Sequence, residues 1–408
     1  MPATSYRPLF SLPVVVAALG YFVDVYDLIL FNIVRVPSLR DLGFSEQEIS
    51  TLGGTIYNWQ QAGLLVGGIA WGVLADKRGR LSVLFGSIIT YSLANIACGF
   101  VQDPSWYAAL RFVAGLGLAG ELGAGITLVS EILPKYLRGY GSSIVASVGL
   151  LGAVVAYFTV VLFNWRTSYF VGGGLGILLL ALRVSLSESG LFSGTKSQAV
   201  ARGSLWAFFN NRVRFAKYLR CIGVGLPTYF VIGLLATFGN EFAKAIGVVG
   251  EVASGRCVLF VFIGIVLGDI FSGLLSQWLR SRRLAIGTMI SMTLLGCLYY
   301  LYGSVATPAI FYAVCGYLGF SIGYVAMFLA VTAETFGTNL RATATSTVSN
   351  FVRATTLLTL PLFQNLKPSW GVVAAGSFVG LLCFVIGYAS LWFMEETFHK
   401  DLDFVEEI

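Results

Sequence analysis

Two acids, Asp24 and Asp27, lie inside the apolar stretch YFVDVYDLILF at 21–31. Three residues apart, they share one face of a helix. A charge near the centre of a bilayer costs about 2.5–3.5 kcal/mol on insertion scales. Such acids persist where they face a cavity or a partner. Burial disfavours the ionised carboxylate, and a neighbouring carboxylate opposes double ionisation. A pair of this kind can load a proton from one side and release it when its surroundings change. Arg111 is the candidate partner. Counting from the outer ends of their spans, Asp27 and Arg111 sit roughly 10 and 8 Å deep at 1.5 Å per residue. The two can therefore meet, either as a protonation switch or as a permanent ion pair joining two helices. Asp24, about one turn deeper, is the alternative proton carrier.

Further polar groups fall in apolar segments. Glu121 stands well into the fourth span, toward its inner end, with either a proton or substrate role or a packing role. Arg353 is near the middle of the eleventh span. A planar guanidinium at that depth suits a carboxylate, which it grips with two hydrogen bonds; the competing reading pairs it with Asp269. In YNWQQ at 57–61, Tyr57 and Gln61 share a face, and Asn58 neighbours Gln61. Tyr26, Tyr229 and Tyr324 add hydroxyls that either line a cavity or simply fill the bundle.

The elements that must carry these residues are membrane helices. Of 408 residues, 57% are hydrophobic and 11% charged, less than half the usual charged share of a soluble domain. Twelve stretches of about 20 residues, the length that crosses the hydrocarbon core, are expected. They cover 10–34, 52–75, 81–101, 106–130, 140–163 and 167–187, then 217–238, 253–277, 284–303, 306–331, 342–364 and 370–394. Helices are required because lipid satisfies no open backbone group. The fold class is therefore an all-α membrane protein of twelve transmembrane helices in two six-helix bundles. Its parts are 1–187, a cytoplasmic linker at 188–216, 217–394, and a cytoplasmic tail at 395–408.

Lys77, Arg78, Arg80, Lys135, Arg138, the 196–214 basic group, Arg280, Arg282, Arg283 and Arg341 crowd one set of loops. The other set carries only Arg35, Arg40, Arg166, Lys244 and Lys367. The basic set marks the cytoplasmic face of a cell (inner) membrane, with both termini inside. SLWAFFNNRVRFAKYLR at 204–220 reads either as a basic helix on the inner membrane surface or as a linker entering the seventh span. Six scattered cysteines and a single histidine, His399, give neither a disulfide framework nor metal-ligand spacing. The basic residues form no nucleic-acid footprint. No cleavable leader is expected at the N-terminus.

The two halves repeat. SEILPKYLRGYGSSIV at 130–145 aligns with AETFGTNLRATATSTV at 333–348, matching Glu131 to Glu334, Arg138 to Arg341 and Ser143 to Ser346. Gly67, Ile69, Gly72 and Leu74 match Gly268, Ile270, Gly273 and Leu275. Both pairs occupy equivalent places in their halves.

These motifs resemble the major facilitator superfamily. GVLADKRGR at 72–80 looks like its loop signature between the second and third helices, and RFVAGLGLAGE at 111–121 its fourth-helix motif. SEILPKYLRG, the YDLILF segment after Asp24 and the acidic tail resemble the metabolite:proton symporter and organic-ion branches. The resemblance implies pseudo-symmetric bundles with a site near the midplane, acid–arginine coupling between Asp27 and Arg111, and a Gly-Glu pair ending at Glu121. It also implies an inner gate of Asp76, Arg80, Glu131, Arg138, Glu334 and Arg341. Simple positive-inside anchoring accounts for the bases in that set but not for the matched acids. Gln277 stands where the second half should repeat Asp76. The seventh span lacks the glutamine-rich sugar motif, which weighs against a sugar. The fifth lacks the Gly-Pro motif of drug antiporters.

The expectation is a monomeric secondary transporter rather than an enzyme, needing no cofactor and coupled to H+. It would take up a small polar organic solute, a carboxylate or zwitterion, by alternating access. The alternatives are a uniporter or exporter of the same fold, or a non-transporting membrane sensor.

Overall fold

A computed structural model describes residues 7–78, 80–119, 133, 138–188, 208–337 and 340–398; the side chains of 7, 8, 13, 72, 73, 75–84, 138–143, 146, 147, 185–188, 342 and 346 fall outside that description. The chain divides into two compact units, Met1–Gln198 and Ala199–Ile408. Residues 189–207 of the expected linker lie outside the described residues.

The first unit contains α1 (Leu12–Asp41), α2 (Glu46–Arg78), α3 (Arg80–Cys98), α4 (Pro104–Leu118), α5 (Arg138–Leu162) and α6 (Trp165–Glu188). The second opens with α7 (Arg212–Phe230), which runs on through a π turn at Val231–Ala236 to the short α8 (Gly239–Ala245). Then come α9 (Ser254–Leu279), α10 (Arg282–Tyr302), α11 (Pro308–Ile322), α12 (Val325–Thr335), α13 (Arg341–Ala354) and α14 (Thr356–Trp392). The tenth span is broken into α11 and α12. The eleventh is α13 with the front of α14, and Gly371, at φ +80°, separates it from the twelfth. The described residues thus place helix in each of the twelve expected spans, six in each unit and the fourth as far as Leu118, and contain no strand.

Several helix starts have a local cause. At the start of α2 the Glu48 carboxylate caps the chain, accepting from both the amide and the hydroxyl of Ser45. Those bonds hold the Glu48 carboxyl below its usual range. Asp103 accepts from the amides of Ser105 and Trp106, and Pro104 follows at the first helical position. Asn211 caps α7 in the same way.

The internal repeat has a packing reason. Within the first unit α1 packs on α5 and α6, α2 on α4, and α3 on α4 and α6. Within the second, α7 packs on α13 and α14, α9 on α11, and α10 on α11 and α14. The second scheme is the first moved on by six spans. Gly63 and Gly67 let α2 touch the α4 backbone, where added β-carbons would strike the Phe112 and Leu116 carbonyls. Gly264 and Gly268 do the same for α9 against the carbonyls of Gly316 and Phe320. Small residues at a membrane helix crossing permit this approach. The outer faces carry exposed Leu162, Leu274 and Trp278, as side chains facing hydrocarbon do.

Two boundaries differ from expectation. The first span does not stop near residue 34: α1 continues through Pro37 to Asp41. Arg35, read from sequence as a loop charge, is consequently fully buried against Gly53 of α2. The 204–220 segment becomes helix at Arg212 and runs straight into the seventh span. Arg214 is buried in its first turn, and Phe208 stacks on Tyr218 with ring centroids 4.7 Å apart.

Candidate functional site

In the first unit, α1 brings Asp24 and Asp27 into the bundle, with exposures of 3% and 0%. Arg111, on α4, is fully buried beside them. Its Nη2 donates to the Asp27 main-chain carbonyl at 3.2 Å and its Nη1 to the Asn95 amide oxygen at 2.7 Å. Asp27 also acts on Arg111 electrostatically. The guanidinium faces the Tyr169 ring 5.4 Å away, and the Tyr169 and Tyr107 hydroxyls are hydrogen-bonded at 2.8 Å. Tyr107 donates on to Ser38 at 3.3 Å. One buried network therefore joins α1, α3, α4 and α6 around an acid and an arginine. Gly172 on α6 leaves room for the Asp27 carboxylate, which a β-carbon there would strike. Such a site can stabilise or expel a charge as its surroundings change, because a low dielectric strengthens every interaction within it.

The other predicted residues of this unit divide by what they touch. The Tyr26 hydroxyl is engaged with Thr159 at 2.9 Å and the Ser168 carbonyl at 2.8 Å, tying α1 to α5 and α6. Gln60 donates to the Leu28 carbonyl at 3.1 Å, tying α2 to α1. Tyr57 and Gln61 are buried and Asn58 is half-buried on α2; among the described residues the amide oxygens of Asn58 and Gln61 have no hydrogen-bond partner. Glu121 and Glu131 lie outside the described residues. Asp76, Arg80 and Arg138 fall on α2, α3 and α5, with their side chains outside the description.

In the second unit, Arg353 lies at the end of α13 and is 9% exposed. Its Nε donates to the Tyr229 hydroxyl of α7 at 2.5 Å. The helix is loosened there: Thr355 and Thr356 hydroxyls bond back to the carbonyls of Val352 and Arg353. Back-bonding of this kind bends a helix. Tyr324, fully buried at the break between α11 and α12, donates to the Val224 carbonyl at 3.0 Å. Asp269 accepts from the Ala326 amide at 3.1 Å, capping the start of α12. That bond gives Asp269 a structural role and not the pairing with Arg353.

At the Arg282 end of the second unit, Glu334 accepts from Arg282 at 3.2 Å and from the Thr397 hydroxyl at 2.6 Å. Arg341 donates to the Ala333 carbonyl at 2.8 Å. The tail folds back over the α10 N-terminus, where the Glu396 carboxylate accepts from the Ser281 hydroxyl and the amides of Arg282 and Arg283. Partial burial opposes ionisation of Glu396, but these bonds outweigh it and hold the carboxyl below its usual range.

Several participants were not picked out from the sequence, among them Asn95, Arg35 and Glu396. Asn95 is one amide in an apolar run, and only the position of Arg111 marks it. Arg35 was masked by Pro37, which reads as a helix end. The Glu396 cap joins residues 115 positions apart; its one signal is an acid facing the RSRR loop. Among the described residues no group of three or more His, Cys, Asp and Glu side chains forms a metal-binding cluster.

The profile of the Major Facilitator Superfamily matches residues 17–359. The niacin transporter NiaP of Acinetobacter baylyi is 32% identical over 178 residues, a stretch spanning 43% of this chain and 40% of that protein. A Cupriavidus pinatubonensis protein described as "Probable 4-methylmuconolactone transporter" is 26% identical over 79% of this chain and 76% of its own length. The crystal structure of a D-xylose-proton symporter superposes with a TM-score of 0.69, covering 97% of this chain and 99% of that one at 14% identity. That last likeness speaks for the fold alone. The paired six-helix units, the glycine-lined crossings and the match across most of the chain agree: this multi-pass membrane protein belongs to the Major Facilitator Superfamily and is a transporter, not an enzyme.

Proposed function

We propose that the protein is a proton-coupled importer of a small organic carboxylate, working by alternating access. The observation that carries this reading is the wholly buried Asp27–Arg111–Asn95 network. An acid placed in apolar surroundings beside a cation has a proton affinity that changes steeply with small changes in solvation. Packing alone gains little from such a group, since an apolar side chain fills the same space without the desolvation cost. Asp24, one turn away and equally buried, shares in holding the proton. Arg353, anchored by Tyr229, is the solute's ligand, because its fork grips carboxylate oxygens. The niacin transporter among its relatives handles a carboxylate of this size. The basic loops support a cell (inner) membrane topology with both termini on the cytoplasmic side, and the Glu334–Arg282 contact supports an inner-gate role for Glu334, proposed alongside Asp76, Arg80, Glu131, Arg138 and Arg341. The two helical units act as the two moving domains of a monomer, embedded in lipid.

The test uses protein reconstituted in liposomes with a trapped pH indicator. Adding nicotinate or a benzoate outside is expected to acidify the lumen, and an imposed inward proton gradient to drive accumulation. Flux that ignores the gradient would make the protein a uniporter. Binding without flux would make it a sensor.

A further inference from the structure

Asn350 stands one turn before Arg353 on α13, so the two side chains leave the same helix face about 5–6 Å apart at their β-carbons. Asn350 is 5% exposed, and its amide oxygen is buried with no hydrogen-bond partner among the described residues. An unmet buried acceptor is costly, and native interiors hold few of them. Leucine, of similar size, would fill this position without that cost. Arg353 is held at its Nε by the Tyr229 hydroxyl.

The two groups ask for different chemistry. A guanidinium only donates, while an amide oxygen only accepts. A ligand that satisfies both carries a carboxylate for Arg353 and, a few ångströms away, a hydroxyl or N–H for Asn350. Resting on the reading of Arg353 as the carboxylate ligand, we propose that Asn350 is a specificity-determining residue selecting carboxylates that also bear a hydrogen-bond donor. A solute lacking the donor leaves the amide oxygen buried and unmet, the situation in which polar sites discriminate most strongly.

Benzoate and 3-hydroxybenzoate serve as the probe pair, with uptake into proteoliposomes and binding by calorimetry as readouts. Wild type is expected to prefer the hydroxylated acid by about ten-fold or more. In Asn350→Ala and Asn350→Leu that ratio is expected to fall toward one. Asn350→Leu removes the unmet acceptor, so it should unfold at no lower temperature than wild type. Arg353→Lys should weaken both acids together, because the bidentate fork is lost. Equal handling of the two acids by wild type, or a preference unchanged in both Asn350 variants, would overturn the proposal. So would a clear loss of stability in Asn350→Leu, since the asparagine would then be structural. Failure of wild type to bind either acid would remove the carboxylate reading itself and the proposal with it.

Discussion

Arg111 reaches Asp27 through the main chain, donating to its carbonyl at 3.2 Å while Asn95 holds the other arm of the guanidinium at 2.7 Å. Neither bond depends on the charge of the Asp27 carboxylate. Under the proposed proton coupling, these two bonds keep holding the guanidinium when the acid gains or loses a proton, and what changes is the field around it.

Asn95→Ala leaves one arm of a buried guanidinium without its acceptor. Hydrogen bonds to charged groups contribute about 1.5–3 kcal/mol, and a loss of that order is expected in thermal unfolding of the purified protein. Asn95→Asp keeps an acceptor in reach and is expected to restore the melting temperature, while its added charge perturbs coupling. Equal stability of Asn95→Ala and wild type would show that the bond contributes nothing.

The glycine pattern gives a sharper contrast on a single helix. A β-carbon at Gly268 would strike the Phe320 backbone, whereas one at Gly273 meets nothing within 4 Å. Gly268→Ala is expected to lower the folded yield and cost about 1–3 kcal/mol, as overpacking does. Gly273→Ala is expected to be neutral or to stabilise the helix by up to about 1 kcal/mol. Size-exclusion profiles of the two variants in detergent decide the matter.

The contrast also shows what the sequence could and could not reveal. Gly67 and Gly268 were legible because duplication writes the same small-residue spacing twice. Asp24, Asp27, Arg111 and Arg353 were legible because a charge in an apolar run is costly and must be accounted for. Asn95 was not, since a single amide raises no such alarm. Nor was the tyrosine pair Tyr107 and Tyr169, because aromatic residues fill bundles whether or not their hydroxyls connect. The commitment of Tyr26 to Thr159 and Ser168 likewise depends on where α5 and α6 lie, which no local pattern specifies.

The docked tail makes a pH-dependent prediction. Glu396 has a folded-state pKa below its ordinary value of 4.5. The stabilisation it gives is therefore fully present above that ordinary value and is lost as pH falls through the lower, folded value. Between pH 6 and 8 the tail is expected to stay docked, with trypsin cleavage at Arg282 and Arg283 suppressed. Glu396→Gln is expected to expose those sites at neutral pH; an unchanged digestion pattern would mean that the carboxylate charge is not what holds the tail.

The most direct measurement of the central claim compares wild type with Asp27→Asn in proteoliposomes, recording both uphill uptake under an inward proton gradient and exchange of labelled for unlabelled solute. Proton coupling through the buried acid predicts that Asp27→Asn loses accumulation while exchange persists. Accumulation at the wild-type level, with the same proton influx per solute, would contradict it.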